Sequence, residues 1–508
     1  MNHWLILPIL LPAMVAPLLA LAVRHDLVLA RTFSIGSTLL LVILGLFQVG
    51  IAADGETRIY ALGNWPPPYG IVLVLDRLSA IMLLLTAVLG LFVLLYSING
   101  CDQQGAHFHP LFQFQLMGLN GAFLTGDLFN LFVFFEVLLI ASYGLAVHGG
   151  GGSRMRAGIQ YVVVNLVGSS IFLVALGLIY GVTGTLNMAD FADRLSSVTP
   201  GDEALLYCGL ALLMVVFGIK SALVPLHFWL PGTYTNASGP VAALFSIMTK
   251  VGAYAIIRVF TLTLGESPAG EGFFAASWLM AAAAVTLALG MVGVVASRGL
   301  GQLASFAALG SMGTLLIAIA GFTPGTQSAA LYYLIHSTLG IAALFLLVDA
   351  VTIRRPGVGD RLTAAPRFSH RGLIGGMFFV VAVAVLGMPP LSGFIGKLLI
   401  LDATTELVGW PWIWGLILST SLLGLVGFAS AGSVLFWKSD EVPGAAVGSP
   451  SIALPMIAVG SLVAVLIGLT GMAGTAVDYL DATTEQLFDT RQYVEAVLGP
   501  NAGGDGDG

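Results

Sequence analysis

The sequence predicts an all-α polytopic membrane protein, and two observations carry that reading. Hydrophobic residues make up 57% of the 508-residue chain and charged residues only 9%, with a mean hydropathy of +0.97. A soluble domain carries about 25% charged residues. Apolar runs of the roughly 20 residues needed to cross about 30 Å of hydrocarbon recur from end to end. One bundle therefore absorbs the whole chain, and a domain count based on length does not apply. The net charge of −7 says little about partners, because the acids lie mostly in connections and in the tail. Nothing points to nucleic acid.

Fourteen spans are expected. Three open the chain, at about 4–23, 31–53 and 71–97, within an N-terminal unit 1–108. The first has no basic stretch before it and is too long and apolar for a signal peptide, so it is expected to be retained. Five follow at about 109–126, 128–148, 157–180, 204–227 and 239–262, forming a unit over 109–262. Five more lie at about 273–297, 300–321, 327–350, 373–401 and 411–437, a unit over 273–437. A last span at about 452–474 precedes a tail, 475–508, that starts as an amphipathic stretch, "VDYLDATTEQLFDTRQYVEAVL". Its end, "GPNAGGDGDG", reads as disordered.

Connection charges orient the bundle. The odd-numbered connections carry Arg24 and Arg31, then Arg154 and Arg156, Arg298, the group Arg354, Arg355, Arg361, Arg367 and Arg371, and finally Lys438. The even-numbered ones carry Arg58 and Arg194 among Asp54, Glu56, Asp190, Asp193, Asp202, Glu203, Glu266, Glu271, Asp402 and Glu406. Basic residues concentrate on the cytoplasmic side of a membrane protein. The odd connections are therefore expected inside, with both termini on the periplasmic side of a bacterial inner membrane.

Several segments have plain structural readings. "HGGGGSRMR" (148–156) follows no strand and is a loop rather than a phosphate cradle. "GNWPPPYG" (63–70) is a rigid outer turn, and "LNMADFADRL" (186–195) a short interfacial helix. Cys101 and Cys208 are far apart and form no CxxC pair. With no GxGxxG stretch after a strand either, neither a metal, an iron–sulfur cluster, a flavin nor a nucleotide site is readable, and no cofactor is expected.

The chain has only four lysines, and three of them, Lys220, Lys250 and Lys397, lie inside hydrophobic runs. An ionisable residue at mid-membrane costs roughly 2.5–3.5 kcal/mol on insertion scales and marks a functional site by default. Lys220 lies late in the seventh span, in "VVFGIKSALVPLHFWLP" (215–231); Lys250 is central in the eighth; Lys397 lies in the twelfth, after "GMPPLSGF". Glu136, in "LFNLFVFFEVLLIASYGL", reads as the only acid deep in the membrane. His336 sits inside the eleventh span and His227 ends the seventh. The competing reading of these charges is a set of static helix-pairing salt bridges; for the histidines it is a hydrogen-bonded core position. Asp76-Arg77, which opens the third span, reads as local structure, and Asp127 as a helix N-cap rather than a relay group.

The interruptions matter as much as the charges. Pro225 is expected to free the carbonyl of Ser221, and Pro389 and Pro390 those of Val385 and Leu386. Irregular backbone at membrane depth is tolerated where it lines a cavity or is buried in protein. Water is therefore expected to enter at Ser221, Pro225 and His227 and at Pro389 and Pro390. The two interrupted spans, the seventh and twelfth, lie five spans apart, as in transporters built from two inverted five-helix repeats. Buried lysine suits proton transfer, because its ordinary pKa of about 10.4 can fall to about 5–6 on burial. A nearby carboxylate restores it. Glu136, Lys220, Lys250, His336 and Lys397 together form a line able to relay protons along the middle of the membrane, with Glu136 and Lys220 as a switchable ion pair.

These residues resemble those of the antiporter-like subunits shared by Mrp-type multisubunit cation/proton antiporters and respiratory complex I. The resemblance covers essentially the whole chain. It places a family glutamate in the fifth helix at Glu136 and family lysines of the seventh, eighth and twelfth helices at Lys220, Lys250 and Lys397. The stretch "PLHFWLPGTYTNASGPVAALFSIMTKVGAYAIIR" (225–258) is highly specific, and "TGDLFNLFVFFEVLLIASYGL" (125–145) is most similar to the D-type subunits, where complex I relatives tend to have a proline shortly after the glutamate. The tail after Gly474 is too short for the long lateral helix of one complex I relative. Where some relatives have a lysine after the histidine of the eleventh helix, this chain has "HSTLGIAALF", which leaves His336 as the lone titratable group there.

The resemblance implies a proton-carrying subunit of a Na⁺ or K⁺/H⁺ antiporter that works beside other membrane subunits, a secondary transporter rather than an enzyme. The alternatives are a proton-pumping subunit of a respiratory oxidoreductase or membrane-bound hydrogenase, and a scaffold that transports nothing.

Overall fold

The structure, a computed structural model, describes residues 3–264, 274–438 and 451–499. The connection holding Glu266, Ser267 and Glu271, and the end of the tail from residue 500, lie outside the described residues.

After a short 3-10 turn come α1 (Leu7–Leu21) and α2 (Leu27–Ala52), the latter capped by the Asp26 carboxylate on the Leu29 amide. A two-stranded antiparallel ribbon follows, β1 (Arg58–Ala61) against β2 (Val72–Leu75), with Arg58 opposite Leu75. The expected third span therefore begins in a strand. Its helix, α3 (Arg77–Ser97), starts only at Asp76, whose carboxylate and Ser79 form a reciprocal capping box. The next helices are α4 (Phe108–Leu124), α5 (Leu128–Ala146, capped by Asp127), α6 (Gly152–Thr183), the short α7 (Met188–Arg194) and α8 (Glu203–Lys220). Then come α9 (Trp229–Asn236), α10 (Gly239–Phe245), α11 (Met248–Leu264), α12 (Phe274–Ala296), α13 (Leu300–Ile319) and α14 (Pro324–Ile353). The last are α15 (Arg371–Leu386), α16 (Ser392–Ala403), α17 (Trp410–Gly432, ending in a π-helical turn to Trp437), α18 (Ala453–Gly471), α19 (Ala473–Phe488) and α20 (Thr490–Leu498).

Helix makes up most of each stretch expected to span the membrane. Among the described residues, twelve helical segments are long and apolar enough to cross on their own. The exceptions are α4 and the interrupted pair α15–α16. Helix α4 carries Gln113, Gln115 and Asn120, all buried. It packs between α1, α3 and α5 rather than against lipid, so its amide side chains face protein. Gln113, for one, is hydrogen-bonded to Ser34, Ser37 and Thr38 of α2.

The connections gather at two ends. At one, Asp102 accepts two hydrogen bonds from Arg31, at 2.6 and 2.9 Å, and lies 3.2 Å from the His109 ring. Burial pushes the Asp102 carboxyl up, but His109 and Arg31 outweigh that and hold it below the ordinary carboxylate range. His148 binds the Cys101 carbonyl, Arg154 the Asn236 carbonyl, and the Leu300 amide the Asp360 carbonyl at this same end. At the other end β2 bridges Thr125, Asp127 bridges Asn187, Ser328 binds Asp481, and α20 packs on α7 and β1. The first is the arginine-rich end; the second is the ribbon end.

Helix α14 runs through the centre, buried along nearly its whole length, with α3, α10, α13, α15, α16, α18 and α19 around it.

Candidate functional site

Each lysine of the apolar runs lies beside an irregularity in its helix. Helix α8 ends on Lys220. Beyond it Ala222 takes a left-handed conformation (φ 55°), the Val224-Pro225 bond is cis, and a 3-10 turn at 226–228 leads into α9. The expectation that Pro225 breaks a running helix is thus corrected: the helix has already stopped, so Ser221 has no helical bond to lose. The eighth span carries an interruption that the sequence did not announce, a tight turn at Ser246 and Ile247 between α10 and α11. Lys250 follows it within one turn and is 1% exposed. The twelfth span breaks between Leu386 and Ser392, around the cis Pro389-Pro390 bond, and Lys397 lies in the helix that resumes.

The hydrogen-bond partners of Glu136, Lys220 and Lys397 are neutral oxygens. Lys220 Nζ donates to Asn165 Oδ1 at 2.9 Å and lies 6.0 Å from the centre of the Phe135 ring. One turn along α6, the Ser169 hydroxyl donates to Glu136. Asn165 and Ser169 therefore stand where the direct Glu136–Lys220 ion pair was expected, and no salt bridge joins those two residues among the described residues. Phe135, Phe172 and Phe217 meet edge-on with centroids 5.7–6.3 Å apart. Beside Lys220 a cavity of about 10 Å³, lined by Phe135, Tyr161, Asn165, Trp229 and Met248 among others, has room for about one water.

Met248 and Val251, either side of Lys250 on α11, line that cavity too. The Lys250 ammonium has no protein hydrogen-bond partner among the described residues. His336, 1% exposed on α14, places Nδ1 2.9 Å from the Ser392 hydroxyl, and both Lys250 and Lys397 lie close enough to act on it electrostatically. Gly393 makes room for the ring: a Cβ there would sit 2.7 Å from His336 Nε2. Lys397 Nζ donates to the Leu386 carbonyl at 2.7 Å, the acceptor Pro390 was expected to free, and to Ser421 Oγ of α17 at 2.8 Å. The order across the bundle is therefore Glu136, Lys220, Lys250, His336, Lys397.

Of the expected water-access residues, Ser221 is fully buried, and its hydroxyl has no hydrogen-bond partner among the described residues. The same holds for Nδ1 of the half-buried His227. Pro225, Pro389 and Pro390 are exposed on the outside of the chain, and the inner faces of the breaks carry the lysines. Asp76 and Asp127 do cap α3 and α5. Asp76 also forms a buried bidentate pair with Arg258 of α11, 2.8 Å at Oδ1, with Tyr254 and Tyr493 ringed around the guanidinium. Glu136 is thus not the only deep acid: Asp76 is buried, and Asp349 lies within α14 with its carboxylate on the Tyr96 hydroxyl. Asn165 and Ser169 carried a signal in their four-residue spacing within an apolar span. Ser421 carried none.

Together, the fold and this line of residues define a polytopic transporter-like membrane protein with titratable groups set at helix interruptions. The chain belongs to the NADH:quinone oxidoreductase/Mrp antiporter transmembrane family, whose model matches residues 125–424. It is 40% identical to the D-type subunit of a probable K⁺/H⁺ antiporter of Rhizobium meliloti strain 1021, over 99% of both chains. It is 37% identical to the D-type subunit of the Na⁺/H⁺ antiporter of Bacillus subtilis strain 168, over 98% of this chain and 100% of the relative. Its structure is similar to a chain of the Mrp complex from Dietzia sp. DQ12-45-1b, with a TM-score of 0.87, 26% identity, and coverage of 98% of this chain and 100% of that one.

Proposed function

We propose that the chain is the D-type membrane subunit of a multisubunit Na⁺ or K⁺/H⁺ antiporter and that it carries the proton path through Glu136, Lys220, Lys250, His336 and Lys397. One observation supports this above the others. Each buried lysine sits at a helix interruption with no carboxylate paired to it among the described residues, so its ammonium can lose a proton without breaking an ion pair. A static salt-bridge set would show the opposite. The names of the full-length relatives supply the exchanged ions and the subunit type.

Partners follow from Glu136. It is half-buried, between the exposed Val133 and Ile140 of α5. A carboxylate facing lipid at this depth is costly, so a neighbouring subunit or water on that face suits it better. Following the arginine bias, the arginine-rich end faces the cytoplasm of a bacterial inner membrane, both termini lie outside, and the bundle has fourteen spans. The helices from α4 to α11 and from α12 to α17 form the two inverted units. The resulting direction is inward proton flow driving cation efflux.

Cation/proton exchange by the reconstituted complex, without quinone or NADH, tests the reading against a redox-driven pump. Quinone-dependent transport would sink it. Single cysteines at Ser153 and Gly359 should react only from the cytoplasmic side; labelling from outside would reverse the orientation.

A further inference from the structure

The relay leaves the acid of the central helix unused. Asp349 lies on α14, thirteen residues beyond His336, which is about 20 Å along the helix axis. It sits at the arginine-rich end, where the Tyr96 hydroxyl of α3 donates to Oδ2 at 2.9 Å. It borders a cavity of about 230 Å³, lined also by Tyr96, Asn99, Gly100, Cys101 and Gln104, room for several waters. The chain therefore holds a carboxylate at the edge of a cavity, beside the Tyr96 hydroxyl, at the end of its central helix.

The same carboxylate is joined to the buried line. The backbone of Gly239, which opens α10, lies directly against it: a Cβ there would meet Asp349 Cβ at 2.3 Å. From Gly239 the chain runs through α10 and into α11, reaching Lys250 after eleven residues, about 16 Å. The interruption at Ser246 lies on that route, and the Ser246 hydroxyl binds the Thr338 carbonyl of α14 at 3.0 Å. The two helices bounding the route are thus the ones that carry Lys250 and His336. The charged and titratable groups facing Asp349 are Tyr96 on α3, Cys101 in the following connection, Arg154 on α6 and Arg354 on α14.

We infer that Asp349 and its cavity form the proton port of the arginine-rich end, where protons pass between the buried line and the water on that side. The carboxyl takes a proton arriving from the direction of Lys250 and His336, then gives it to cavity water. Run backwards, the same step loads the line. The inference rests on the proton-relay reading above, and it assigns Asp349 a role that reading does not contain.

The test uses the whole complex in liposomes, with pH varied separately on each side. Asp349→Asn still accepts the Tyr96 hydrogen bond but cannot carry a proton. The assembled variant should lose exchange roughly a hundredfold and lose its dependence on pH at the arginine-rich side. Asp349→Glu should restore most of both. Tyr96→Phe removes a hydrogen bond to the ionised carboxylate, so the midpoint of that pH dependence should move upward. An assembled Asp349→Asn complex with wild-type rate and pH profile overturns the port. If that variant does not assemble, an unmoved midpoint in Tyr96→Phe overturns it instead. Lys220→Arg separates the two ideas: full exchange there defeats the relay, whereas an inactive Lys220→Arg beside a normal Asp349→Asn defeats the port alone.

Discussion

In the first interrupted span, α8 ends on Lys220 itself; in the second, α15 ends at Leu386 and Lys397 reaches back to it from α16. The lysines fall on opposite sides of their breaks in sequence. In both, a lysine is set at the C-terminal end of the first half-helix, Lys220 as the last residue of α8 and Lys397 through its bond to the Leu386 carbonyl of α15, and the helix dipole there favours a cation. Unequal sequence offsets thus conceal an equivalent electrostatic position. The holders differ. Lys220 is held by a side-chain amide, Asn165, one turn from the Ser169–Glu136 pair. Lys397 is held by a backbone carbonyl and a hydroxyl, with no acid paired to it among the described residues. The first site can exchange a neutral partner for a charged one by a side-chain movement. The second keeps its acceptor for as long as the break keeps its shape.

The largest effects should come from replacing each lysine by arginine, which keeps the charge and cannot give up its proton. Lys220→Arg, Lys250→Arg and Lys397→Arg complexes should assemble, judged by co-purification, and lose exchange by roughly a hundredfold or more. Near-normal transport by an assembled Lys220→Arg complex would make the first site structural and end the equivalence.

A smaller and unequal pair of effects should follow from removing the holders. Asn165→Leu takes away the only protein hydrogen-bond acceptor of Lys220 among the described residues, and exchange should fall about tenfold, the cost of roughly one hydrogen bond to a charged group. Ser421→Ala leaves Lys397 its Leu386 carbonyl, and the loss should stay within about threefold. Equal losses would erase the difference between side-chain and backbone holding.

The backbone of the breaks gives the next contrast. Gly387 is left-handed (φ 72°), and a Cβ there would meet Lys397 Cδ at 2.7 Å. Gly387→Ala should cost about 1–2 kcal/mol of thermal stability in the purified complex and disturb Lys397 as well. Ala222 already tolerates the left-handed conformation in the first break. Ala222→Gly should be the mildest change, within about 1 kcal/mol of wild type, because relief of strain offsets the added freedom of the unfolded chain. A large loss at Ala222 would mean that its methyl group packs the first break as tightly as glycine shapes the second.

The charges were legible because a lysine or glutamate in an apolar run has no inexpensive explanation. The α4–α5 boundary was legible because Asp127 is a capping residue at a Gly-Asp step. What stayed hidden was neutral or distant. Asn165 and Ser169 cost little in a helix, and only their four-residue spacing in an apolar span sets them apart. The turn at Ser246 and Ile247 has neither proline nor glycine at its centre. Val72–Leu75 read as the start of a helix because a short apolar run has no period that separates strand from span. Asp349, next to the edge of its span, was passed over. Asp76 and Arg258 are 182 positions apart, and they meet only because α4 and α19 pack against both α3 and α11.

That last pair bears on how the molecule is made. The Tyr493 ring, near the end of the tail in α20, covers a guanidinium supplied by α11, with its centre 5.8 Å away, and the carboxylate comes from the start of α3. All the apolar helices can enter the bilayer before α20 leaves the ribosome. During that interval one end of a fully inserted bundle stays open over a charge pair meant to be enclosed. Synthesis of α20, rather than membrane insertion, therefore closes this end of the bundle. A chain released early, with every span in place, would present quality-control proteases with an unfinished surface.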